Sequence, residues 1–196
     1  MKRMVLICLL GLLAGGCAPK VVLPDPAPPF KGQLAESLDG PEILGEGWKR
    51  ELGIVSDDMA HPPTVPPKRR SWAITFFGQQ LAAGARSYAE VYYFQPSGKV
   101  VTLYVLVYDE PQFARDRWNQ VYGQGNQKFG YQVEHSLGDT AVRGKERNSL
   151  VILASNVILE SNMTADGPEN ETVARHYLEK LGVSPAGPMA GNASGK

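Results

Sequence analysis

The chain has 196 residues, enough for one domain with material left over for tails, and its 43% hydrophobic and 20% charged content excludes a disordered or collagen-like polymer. Its 20 basic and 20 acidic residues balance, and loss of residues 1–16 with Lys2 and Arg3 leaves 18 against 20, so there is no electrostatic footprint for nucleic acid. The two cysteines, Cys8 and Cys17, both lie at the N-terminal end, so the rest of the chain has no thiol for a disulfide, metal or nucleophile.

Residues 1–17 read MKRMVLICLLGLLAGGC. Lys2 and Arg3 form a positive start, and Met4 to Leu13 an apolar core. As a helix this core spans about 15 Å, half of the roughly 30 Å that a bilayer interior requires. It predicts a signal peptide rather than a membrane span. Small residues Ala14, Gly15 and Gly16 then lead to Cys17. The pattern resembles the lipobox of bacterial lipoprotein precursors. That resemblance implies cleavage after residue 16 and acylation of Cys17 with palmitate-type chains. One departure is Ala14, where the family usually has Leu. Ala18 after the cysteine implies, by the same analogy, the outer membrane facing the periplasm. Two or more buried acyl chains, at about 0.8 kcal/mol per methylene, make a firm anchor.

Residues 18–30 contain Pro19, Pro24, Pro26, Pro28 and Pro29. Proline fixes φ and removes donors, which favours extended chain. Residues 17–41 are therefore expected to be a lipidated tether, reaching about 70 Å if extended throughout. The domain is expected over 42–183, with a Gly-, Pro- and Ala-rich disordered tail at 184–196.

Within the domain, Gly47-Trp48 opens an apolar stretch with Leu52, Ile54 and Val55. The Pro-rich insert 61–67 and Lys68-Arg69-Arg70 read as a solvated surface loop. SWAITFFG (71–78) reads as a strand. Tyr88 to Phe94 and Lys99 to Tyr108 form the clearest hairpin, turning at Pro96-Ser97-Gly98. The second arm is apolar on both faces, which places it centrally. A helix follows from about Glu110 to Tyr122, with Ala114, Trp118, Val121 and Tyr122 on one stripe. Tyr131 to His135 is a short strand, and Gly138-Asp139 a turn. Ser149 to Leu153 and Val157 to Met163 form a second hairpin through Ala154-Ser155-Asn156. The last helix, Glu169 to Leu181, is expected to bury Val173, Ala174, Tyr177, Leu178 and Leu181, and Gly182 stops it. The order predicts an α+β fold: a mainly antiparallel sheet with two helices packed on one face.

Gly138-Asp139-x-Ala141, followed by the Asn156 turn and a returning VILES strand, resembles a pattern of exported bacterial domains of unknown function. Folds of that kind include the oxygen-evolving P-subunit and Mog-type α/β/α sandwiches. Such a likeness concerns fold, which does not give function.

The chemistry is sparse. His61, His135 and His176 have no metal-ligand spacing, and no nucleophile elbow, P-loop or dinucleotide fingerprint occurs. Asp57-Asp58, and Asp139 with Glu146, are the carboxylate pairs. No catalytic residue, metal or cofactor is assigned. The aromatic residues Trp72, Phe76, Phe77, Tyr88, Tyr92, Tyr93, Tyr104 and Tyr108 crowd the first strands. Tyrosine suits an interface, with an apolar side and a polar tip. Tyr92 and Tyr93 point to opposite faces of their strand, and one of them is the expected partner contact. The expected function is a non-catalytic binding or structural module for an envelope protein or small ligand. The competing reading is a cell-wall or small-molecule enzyme. A cleft joining His135, Asp139 and Glu146 would mark it.

Overall fold

A computed structural model describes residues 27–61, 82–122, 131–134, 136–144, 148–164 and 167–183. Its centre is a seven-stranded sheet. In chain order the elements are β1 (Lys49–Ser56), β2 (Ser87–Phe94), β3 (Val100–Val107), α1 (Pro111–Tyr122), β4 (Tyr131–Glu134), β5 (Thr140–Gly144), β6 (Ser149–Ala154), β7 (Val157–Met163) and α2 (Glu169–Lys180). The spatial order is β1-β2-β3-β7-β6-β5-β4, with every neighbouring pair antiparallel. The two expected hairpins are present as β2–β3 and β6–β7. After β3 the chain passes through α1 to the far edge, and β4, β5, β6 and β7 then return it to the side of β3. That closure pairs Val101 with Met163 and Val107 with Val157.

The α+β class and the antiparallel sheet agree with the sequence reading. The expected placement of both helices on one face is corrected. Val101, Leu103, Val105 and Val107 pack with Val173, Ala174, Tyr177 and Leu178 of α2. Leu106 and Tyr108 pack on the opposite face with Ala114, Trp118 and Val121 of α1. The physical reason lies in the central strands. β3, β6 and β7 carry apolar side chains on both faces, and each face must be buried against something.

The expected boundary between tether and domain at residue 41 is also corrected. Leu34 is fully buried in the core on the α2 side, with Phe30, Leu38, Ile43 and Leu44 packed against it. Short 3-10 turns at Ala35–Ser37 and Pro41–Leu44 carry the chain across this face. The Asp57 carboxylate accepts the Leu34 and Ala35 amides at 2.6 and 3.2 Å. Proline density pointed to an extended chain. It did not exclude burial, because extended chain buries side chains readily when partners satisfy its amides.

β5 was not expected as a strand. It is five residues long and leaves Gly138 at φ +59°. A Cβ there would stand 2.5 Å from the Leu153 carbonyl oxygen, so only glycine fits. The expected strand at 71–78, the insert 62–70, the signal segment and the tail 184–196 lie outside the described residues.

Candidate functional site

Alternation along β2 divides its aromatic residues. Ala89, Val91 and Tyr93 face α2, and Tyr88, Glu90 and Tyr92 face the α1 side. Tyr93 is a core residue. It is fully buried, its hydroxyl shares a 2.7 Å hydrogen bond with the Tyr177 hydroxyl, and it donates to the Asp39 carbonyl at 3.3 Å. Burial, and then the Tyr177 phenol beside it, push its pKa far up. It offers no surface to a partner. Tyr92 is half-buried on the opposite face, so of the two tyrosines it alone is open to contact.

The α1 side of the sheet has two halves. Towards the β6–β7 turn, Leu106, Ile158 and Leu153 form an apolar floor beneath α1. Towards the β2–β3 turn the face becomes polar. Glu90 of β2 lies opposite Tyr104 of β3, which lies opposite Glu160 of β7. The three form one row across adjacent strands, a phenol between two carboxylates. Glu90 is 2% exposed and Glu160 is 9% exposed.

Tyr88 and Tyr92 donate to the two oxygens of the Glu90 carboxylate, Tyr92 at 2.9 Å. Asn162 Nδ2 donates to Glu160 Oε1 at 2.8 Å. Burial raises the Tyr104 pKa strongly, and the neighbouring Tyr92, Glu160 and Glu90 raise it further. The phenol therefore stays protonated. Gly53 makes room for this packing from β1, where the register shifts between Leu52 and Val55. A Cβ at Gly53 would stand 2.9 Å from Glu90 Cβ and Oε2 and from Tyr92 Cε2.

Sequence reasoning counted Tyr104 among the aromatics and overlooked Glu90 and Glu160. The available signal was an acid in the middle of each of two apolar strands, YAEVYYF and VILES. Burying a carboxylate is costly unless partners compensate, so such a position is informative. The juxtaposition of the two acids was hidden, because β2 and β7 meet only through β3.

Other polar groups serve the scaffold. Asp139 Oδ2 accepts the Ser155 amide at 3.1 Å, and Arg115 Nη2 stands 4.0 Å away. Burial raises the Asp139 pKa, against that hydrogen bond and the Arg115 charge. His135 and Glu146, its expected companions in an enzyme, lie outside the described residues. His61 contacts Asp58 at 2.9 Å on the exposed surface. His176 Nε2 lies 2.6 Å from Asp39 Oδ2, and Lys180 holds the other oxygen. Among the described residues, no group of three or more His, Cys, Asp or Glu side chains is arranged to hold a metal. No described helix is long and apolar enough to cross a membrane.

No protein-family model matches the chain, and no curated protein matches it. Among solved structures the chain is similar to the extracellular domain of PknH from Mycobacterium tuberculosis, at 15% identity and a TM-score of 0.39 over 76% of this chain and 91% of that one. A likeness this distant carries no functional assignment.

Proposed function

We propose that this chain is an exported, lipid-anchored, non-catalytic binding module that recognises a cationic group of an envelope partner. The supporting observation is the Glu90–Tyr104–Glu160 row, with the half-open Tyr92 beside it. A guanidinium or ammonium group is matched by carboxylates and by the faces of aromatic rings together. The surrounding strands hold these groups rigidly, so little ordering cost falls on binding. Acylation of Cys17 supplies the anchor in this reading.

The test is a titration with short arginine- or lysine-bearing peptides, followed through the ring resonances of Tyr92 and Tyr104. Wild-type protein should show saturable shifts. Glu160→Gln, which keeps an acceptor for Asn162, and Tyr92→Ala should weaken them about tenfold while the domain remains folded. Unchanged affinity in both variants, or no shifts in the wild type, would rule the reading out.

A further inference from the structure

The placement of the N-terminal segment fixes where the anchor leaves the domain. Ser155 Oγ donates to the Ala27 carbonyl, and the Asn156 side chain holds both backbone groups of Phe30. Arg86 Nη2 donates to the Gly32 carbonyl at 3.2 Å. All of these contacts lie at the end of the sheet that carries the β6–β7 turn. Ten Cα steps separate Cys17 from Ala27, which reach at most about 35 Å. A lipid on Cys17 therefore keeps this end within about 35 Å of a bilayer.

The same end carries an exposed aromatic residue. The Tyr108 amide donates to the Asn156 carbonyl at 2.9 Å, so the chain enters α1 beside the β6–β7 turn. Phe113, in the first turn of α1, is 55% exposed. Asp109 and Glu110 precede it and Lys31 is exposed nearby in the same end, so charge gives no strong pull towards an anionic surface. A membrane contact here is apolar and enforced by the short tether.

We infer that the β6–β7 end of the domain, with Phe113, faces a lipid surface, and that Tyr92, one row beyond the mid-sheet Glu90–Tyr104–Glu160 row, lies in the half of the sheet turned away from it. This rests on the reading of Cys17 as acylated. The β2–β3 turn stands at the opposite end, farther from the bilayer by the length of an eight-residue strand, about 26 Å.

The test places a fluorescent donor on Phe113→Cys or on Ser97→Cys in the mature acylated protein, reconstituted in phosphatidylcholine vesicles bearing acceptor lipids. Transfer from position 113 should exceed transfer from position 97 by about twofold or more. Equal transfer from both positions, or stronger transfer from 97, overturns the orientation. Protein that does not float with the vesicles speaks against acylation alone. The orientation is then read from a chain whose residues 1–17 are replaced by hexahistidine on nickel-chelating lipid, with the same two outcomes deciding it.

Discussion

Asn156 brackets the backbone of Phe30. Its Oδ1 accepts the Phe30 amide at 2.7 Å, and its Nδ2 donates to the Phe30 carbonyl at 2.9 Å. The same Nδ2 donates to the Tyr108 carbonyl at 2.6 Å. One fully buried side-chain amide thus joins the N-terminal segment, the end of β3 and the β6–β7 turn. Asn156→Ala should cost about 2–4 kcal/mol, because it removes three bonds and leaves buried backbone groups unpaired. Denaturant melts measure this. Deletion of residues 27–40 should destabilise the domain at least as much, since it also strips Leu34 from the core. Deletion of 19–26 alone should leave the melting midpoint in place.

Tyr92 and Tyr93 should respond in opposite ways to truncation. Tyr93→Ala opens a cavity in the core beneath α2 and removes one hydrogen bond of the Tyr177 hydroxyl, which keeps the Asp39 amide, at a cost of about 3–5 kcal/mol. Tyr92→Ala removes a half-buried ring and one hydrogen bond to Glu90, and should cost under about 2 kcal/mol. Equal costs in urea melts would contradict the division of the strand into a core face and a contact face.

Trp118 is the anchor of α1 on the apolar half of its sheet face, stacked at a tilt on Tyr122 with ring centroids 5.0 Å apart. Trp118→Ala should cost about 3–5 kcal/mol, a large share of the stability of a domain this size. A loss below about 1 kcal/mol would mean that α1 adds little to the core.

Asp39 links the N-terminal segment to α2 through His176 and Lys180. Partial burial raises its pKa, but the hydrogen bonds from Lys180 and His176, with their charges, outweigh it and leave the carboxyl below its ordinary value of 3.8. A carboxyl lowered in the folded state contributes stability above its unfolded pKa and loses it as pH falls through the folded value. Asp39→Asn should therefore be less stable than wild type near neutrality, with the gap narrowing below about pH 4. Urea midpoints across pH 3–7 give the comparison, and a gap that is constant with pH would count against the link.

The anchor has a direct chemical test. Mass spectrometry of protein from the envelope should find a mature N-terminus at Cys17 carrying acyl chains. Cys17→Ser should release the domain from the membrane. An unmodified N-terminus elsewhere would refute the lipoprotein reading.

Local pattern was enough for the elements that depend on near neighbours. The β2–β3 hairpin was legible because strand alternation and the Pro96-Ser97-Gly98 turn act within a few residues. α1 and α2 were legible from their 3.6-residue stripes and the stop at Gly182. Whatever depends on distant pairing came only with the folded chain. Pairing of β3 with β7 set Tyr104 between Glu90 and Glu160, and no local pattern encodes which strand returns to the middle. Alternation showed that Tyr92 and Tyr93 part company, but only the position of α2 told which one is buried. The two helices took opposite faces because the central strands are apolar on both. Phe30 was drawn into the domain by Asn156, 126 residues away, a contact that proline counting has no means to see.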